Sequence, residues 1–355
     1  MPADKSPGRI KLFFFLLALL VCLSLSVSIF FGAADLKPGG ILNFFLRTRK
    51  GTALEAAQTL ILLRVRLPRI LLSALAGAAL GLAGTVFQGV FRNPLAEPYL
   101  LGVSSGAALG AAAAFSLPAL AAGAGGFWET SVLARVGHIS FLGLWAFAGA
   151  ALAGFLVFLA AGKGDNFSSL LLGGLAMAYL FQGFLSLFLL QNRGGRERIL
   201  YWMMGSFSAA SWDKILWAGI LLGLTGTFIF SRARILNLLS LGSEEAYSLG
   251  IRPGREGRLL LGAASLLTAG VVSVSGIIGF VGLLVPPLGR FWTGPDHKKL
   301  LGASALLGAE LLIIADTLGR CLWAPREIPV GVITAFLGAP FFLILLRQRT
   351  VRRWN

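Results

Sequence analysis

A chain of 355 residues that is 56% hydrophobic and only 13% charged, with a mean hydropathy of +0.81, carries more apolar surface than a soluble core of that length can hide. The net charge of +16 would suggest nucleic acid in a soluble protein, but here the basic residues are strung between apolar runs, as at helix ends anchored to a membrane surface, so no nucleic-acid partner is expected. Cys22, Cys321, His138 and His297 stand apart from one another, without metal or redox spacing, which argues against a metal site; both histidines read as interfacial.

A bilayer core of about 30 Å needs about 20 helical residues. By that ruler residues 12–31 form a first span, retained because no small-residue cleavage site follows it. Further spans fall near 67–90, 98–116, 139–161, 168–190, 214–231, 258–275, 277–292, 299–320 and 328–346, ten in all, with 277–292 tilted or broken at Pro286-Pro287. The fold class is therefore an all-α membrane protein, a single transmembrane domain over 1–355. Ten spans place both termini on one side, and Lys5, Arg9 and Lys11 before the first span, with Arg347, Arg349, Arg352 and Arg353 after the last, make that side the cytoplasm.

Span two carries Ser73, Gly77, Gly81, Thr85 and Gly89 four residues apart, and span three carries Gly102, Gly106 and Gly110. Such stripes let helix backbones approach closely, as membrane helix pairs require. A ten-residue interval from Gly84 to Pro94 recurs from Gly276 to Pro286, a faint sign of repeated halves assigned to spans two and eight.

Four segments interrupt the apolar pattern. In 66–111, Asn93-Pro94 and Glu97-Pro98 break a span and free backbone groups that protein or water must satisfy, suited to a gate or a plain turn. In 232–258, Leu236, Leu239, Ala246 and Leu249 can form apolar faces on two short helices, separated by Gly242 and ended by Gly250 and Pro253. This segment can dock into another protein or remain a solvated loop. Segments 275–299 and 315–342 put Gly and Pro at helix ends and kinks.

Together the motifs NPLAEPYLLGVSSGA, YWMMGSF at 201–207, SLGSEEAYSLG, GFVGLLVP and EIPVGVITAFLGAPFF resemble those of the FecCD-type permeases, the membrane subunits of ABC importers for ferric siderophores, haem and cobalamin. The resemblance implies the type II ABC importer permease fold, ten transmembrane helices in inverted halves, in the plasma (inner) membrane of a prokaryote. It implies a homodimer with two copies of an ATPase subunit, carrying ATP and Mg, and a substrate-binding protein. The cytoplasmic coupling loop would lie within 232–258, with ATPase contacts at Gly242, Glu244, Glu245, Ala246, Leu249 and Gly250. Arg66, Arg69 and Arg320 match the arginines that dock the binding protein, and Asn93, Leu95, Phe167 and Ser168 match the inner gate. Ferric siderophore is the first substrate expected.

Two positions depart from the family pattern: Pro287 follows GFVGLLVP where a His is usual, and Glu310 lies inside span nine. An intramembrane carboxylate is either part of the pathway or paired within the bundle. The chain has no Gly-x-x-x-x-Gly-Lys-Ser/Thr loop to cradle nucleotide phosphates, so it is not itself an ATPase and no cofactor of its own is expected. The competing class is an ion-coupled secondary transporter, which would need acidic or histidine relays in several spans; Glu310 and Asp316 are the clear intramembrane acids.

Overall fold

The computed structural model describes residues 7–32, 59–121, 141–162, 167–191 and 196–351. His138, Lys5, Arg352 and Arg353 of the sequence reading lie outside them. The described chain is helical, with α1 (Pro7–Ser28), α2 (Leu67–Phe91), α3 (Val103–Ala121), α4 (Phe141–Ala160), α5 (Phe167–Gln191), α6 (Arg196–Met203), α7 (Trp212–Ser231), α8 (Ala233–Leu241), α9 (Ser243–Ser248), α10 (Pro253–Ser275), α11 (Val281–Thr293), α12 (His297–Cys321) and α13 (Val330–Val351). Ten of these are the spans: α1 to α5, α7 and α10 to α13. Among the described residues seven helices, α1, α2 with its preceding turns, α4, α5, α7, α10 and α12, are each long and apolar enough to cross a bilayer alone. Span three begins later than its apolar run, because Pro98–Leu101 is a 3₁₀ turn and α3 starts at Val103. Span eight is shorter than expected: residues 276–280 are not helical, and α11 has only 13 residues.

The helix contacts follow two inverted five-span halves. The second span of one half, α2, lies along α12, as its counterpart α10 lies along α4; α3, α4 and α5 pack in sequence, as do α11, α12 and α13. Gly276 ends span seven rather than sitting in span eight, so the Gly-to-Pro interval is not the register of the repeat.

The glycine stripes decide which helices meet. A Cβ on Gly77 would overlap the carbonyl of Gly308, and the reverse holds; Gly81 lies against Ser304 and Gly89 against the His297 ring, so one face of α2 runs the length of α12. Likewise Gly106 and Gly110 of α3 meet Gly149 and Trp145 of α4. Apolar burial between helices has no driving force in lipid, so this backbone approach is what selects the pairs.

Just before α2, Leu62–Arg66 forms a π-turn in which the Leu67 N–H reaches the Leu62 carbonyl. Pro68 is the cause: it has no N–H for the Arg64 carbonyl and its ring presses on that turn, which widens to accept the extra residue.

Candidate functional site

At one end of the bundle α8 and α9 form a knob. Ala233, Leu236, Leu239 and Ala246 are buried and root it on the spans, whereas Leu241, Tyr247 and Leu249 are more than half exposed. Of the residues expected to contact the ATPase, Leu249 is thus exposed, whereas Ala246 is buried in the root of the knob. Gly242 separates the helices at φ 149°, a backbone conformation that favours glycine, with the Glu245 carboxylate folded back over its Cα. Glu244, Glu245 and Gly250 are exposed, the last at φ 80°. The knob's two roots are tied by an ion pair between Arg232 and Glu256, with the Arg232 guanidinium 4.4 Å from the Phe228 ring centroid.

Asn237 of α8 bonds the knob to α12. Its amide nitrogen donates to Asp296 Oδ1 at 3.0 Å, and its oxygen accepts from the His297 backbone N–H at 2.8 Å. Asp296 also caps α12 by accepting from the Lys298 N–H. Burial works against the Asp296 charge, but the bonds from Asn237 and Lys298 and the nearby Lys299 hold its carboxyl below the usual range. His297, expected at the interface, is 2% exposed, packed against Gly89.

The expected gate segments meet beside this end. Arg92 ends α2 at φ 49°, exposed Asn93 accepts from the Leu95 N–H through Oδ1 at 3.0 Å, and Leu95 is half-buried. Phe167 stands edge-on to Phe91 with ring centroids 6.2 Å apart and covers Gly257 of α10; Ser168 faces outward. Thus Phe167, at the start of α5, packs against the end of α2.

Deeper in the bundle the two non-helical breaks touch. Glu97 Oε1 accepts from the Phe280 N–H at 2.7 Å, at the start of α11, and the Tyr99 hydroxyl donates to the Ile278 carbonyl at 2.9 Å. A carboxylate is the group a helix N-terminus favours. Farther along α11, Pro286 and Pro287 have no N–H for the carbonyls of Gly282 and Leu283 four residues earlier. Both carbonyls are instead served by the Gln88 amide nitrogen of α2, at 3.2 Å each. Pro287, at the position where a His is usual, thus extends the break that Pro286 begins, and one side chain on the neighbouring helix answers both.

At the opposite end Arg66, Arg69 and Arg320 do come together, but all three are buried and engaged within the chain. Arg69 Nε donates to Asp316 at 2.9 Å and its Nη1 to both Glu327 oxygens at 2.9 and 2.8 Å. Arg320 pairs with Asp316 at 3.1 Å and donates to the Phe31 carbonyl and the Ser28 hydroxyl at 2.7 and 2.6 Å. Arg66 donates to the Ile29 carbonyl. The arginines bind the end of α1 to α2 and α12, and the exposed cations beside them are Arg64 and Arg326. A cavity of about 630 Å³ opens at the same end between α3, α6, α7 and α10, lined by Phe115, Tyr201, Trp202, Ser206, Lys214 and Ser275.

Glu310 lies on the α1–α12 seam, 6% exposed, where Ser24 Oγ donates to its Oε1 at 2.6 Å. Its Oε2, also buried, meets no hydrogen-bond partner among the described residues, so the seam satisfies only half of the carboxylate. Sequence reasoning missed Gln88, Asn237 and Glu327, and read Glu97 only as part of a break. The signal for Gln88 was available: two consecutive prolines orphan two carbonyls, and Gln88 is the amide within span two.

Residues 16–348 match the FecCD transport family. The chain is 43% identical over 301 residues to the cobalamin import system permease protein BtuC of Halobacterium salinarum, covering 84% of this chain and 76% of that one. It is 40% identical over 341 residues to the hemin transport system permease protein HmuU of Yersinia pestis, covering 95% and 96%. Among solved structures it resembles a metal-chelate-type ABC transporter in an inward-facing conformation, with TM-score 0.80 and 31% identity over 95% of this chain and 99% of that one. With its motifs, its ten spans and this match over nearly the whole length, the chain is a member of the FecCD transport family.

Proposed function

We propose that this chain is the permease subunit of an ATP-driven importer that passes a metal chelate, of the ferric siderophore, haem or cobalamin class, across the cell membrane. The observation that carries the reading is the α8–α9 knob. Its root is buried in the spans, and its exposed tip presents Glu244, Glu245, Tyr247 and Leu249, a mixed acidic and apolar surface suited to a cleft in another protein. An ATPase subunit would grip that tip. Through Asn237 a shift of the knob would pull directly on the start of α12, and through α12 on the α2 face it lies along.

On this reading the knob and both termini are cytoplasmic, the arginine end faces the substrate-binding protein, and two copies of the chain enclose the path with two ATPase subunits beneath. ATP and Mg belong to those partners. Asp316, one of the acids an ion-coupled carrier would use, is committed to Arg69 and Arg320, which favours the ATP-driven class.

The test is reconstitution of the chain with its ATPase and binding protein in liposomes, measuring chelate uptake and chelate-stimulated ATP turnover. Reversing both acids, Glu244→Lys with Glu245→Lys, is expected to abolish assembly or to leave ATP hydrolysis without uptake. Undiminished uptake by that variant would refute the assignment of the knob.

A further inference from the structure

Glu310 stands near the middle of the 25-residue α12, where that helix meets α1, and is 6% exposed. Ser24 Oγ donates to its Oε1, while Oε2 is buried and meets no hydrogen-bond partner among the described residues. A carboxylate at mid-bilayer is costly unless a cation and hydrogen-bond donors answer it. The seam supplies no cation: neither residues 12–31 nor residues 300–319 include a lysine or arginine, and Arg320, at the far end of α12, is engaged by Asp316. The complement of Glu310 is therefore a group that brings both a donor and a positive charge.

One helical turn along the same seam lies a cavity of about 280 Å³. Ser24 belongs to both places, donating to Glu310 and lining the cavity together with Thr317. Its other walls include Leu23, Val27, Ile314 and Leu318, apolar residues exposed on the surface that a membrane protein turns to lipid. Ligand sites ordinarily measure roughly 300–1,000 Å³, so this one suits a small occupant. Because α1 packs chiefly against α12, moving one peripheral helix widens the seam. A lipid headgroup stays at the bilayer surface, about 15 Å from the middle of the hydrocarbon core, so it does not reach a carboxyl at this depth.

We infer that the α1–α12 seam binds a small amphiphilic amine that enters from the lipid, its ammonium donating to Glu310 Oε2 and its alkyl tail filling the cavity. A primary ammonium carries three N–H groups. One serves Oε2, and Ser24 Oγ, which gives its own proton to Oε1, has lone pairs left to accept a second. The apolar walls cover the tail and hold the amine between α1 and α12. This site is independent of the importer reading and is tested without chelate or ATP.

The experiment uses the full-length chain in nanodiscs of phosphatidylcholine at neutral pH, with radiolabelled n-octylamine as the probe and empty discs subtracted. One saturable site per chain is expected, and n-octanol, of the same length without the charge, should compete at least about tenfold more weakly. Glu310→Gln should weaken octylamine binding by about tenfold or more. Ile314→Trp, which fills the cavity and leaves the carboxyl in place, should weaken it as well. Thermal unfolding checks that each variant is folded; if Glu310→Gln is not, the octanol comparison and Ile314→Trp decide. The absence of a saturable site, equal competition by octanol, or wild-type affinity in either folded variant overturns the inference. Enriching the discs in phosphatidylethanolamine should leave probe binding unchanged, and competition by that lipid would give the seam to a headgroup and overturn the inference too.

Discussion

Replacing Gln88 by Leu preserves the volume of a fully buried side chain but removes both donors to the carbonyls of Gly282 and Leu283. The match is numerical as well as spatial: a primary amide carries two N–H groups, and the two prolines orphan two carbonyls. Two interhelical bonds at the average membrane value of about 0.6 kcal/mol give a lower bound of roughly 1 kcal/mol. If each stranded carbonyl carried the full penalty of about 1–3 kcal/mol, the loss would be roughly 2–6 kcal/mol. The carbonyls lie in a broken helix packed against α2, with no route to water evident from their burial, so a loss of about 2–3 kcal/mol is expected. Unfolding of the detergent-solubilised permease, followed by circular dichroism across a denaturant titration, measures it. The decisive comparison repeats Gln88→Leu in a Pro286→Ala, Pro287→Ala background, where alanine N–H groups can bond those same carbonyls along the helix. There the substitution should cost at least about 1 kcal/mol less, since the cycle cancels any separate effect of the prolines. Equal losses in the two backgrounds would show that Gln88 does not serve the proline-freed carbonyls.

Asp316→Ala strands Arg69 Nε and leaves the buried Arg320 charge without its carboxylate, and is expected to destabilise the permease by about 3–5 kcal/mol, read by thermal unfolding in detergent; a loss below about 1 kcal/mol would mean that the cluster is hydrated. Glu97→Gln keeps an oxygen to accept from the Phe280 N–H and should retain most transport turnover, whereas Glu97→Ala should lose both turnover and stability; equal behaviour of the two variants would remove Glu97 from the junction of the breaks.

Much of the architecture was legible beforehand because a bilayer imposes a simple ruler. The ten apolar runs became ten helices, and the starts of spans three and eight moved inward at Glu97-Pro98 and at 276–280, where the chain leaves helical geometry and apolarity no longer marks the helix. The spacing in span two named a face, and that face met α12 through Gly308, Ser304 and His297. The knob was legible too, since Gly242, Gly250 and Pro253 punctuate it. Which of its apolar residues turn inward was not: Leu236 and Ala246 are buried while Leu249 stands in the open.

Exposure was the property that residue type could not supply. Arg66, Arg69 and Arg320 come from sequence-distant segments, and motif matching selected them as contacts; folding buries all three against Asp316, Glu327 and the end of α1, whereas Arg64 and Arg326, near them in sequence, are exposed. Membership of a transport family, the number of spans and the place of the polar knob follow from apolar length, helix breakers and motif order, all of which are local along the chain. The pairing of Gln88 with the carbonyls freed by two prolines about 200 residues away, and of Glu97 with the start of α11, arises only when distant breaks are brought together in a solvent that offers no water to satisfy them.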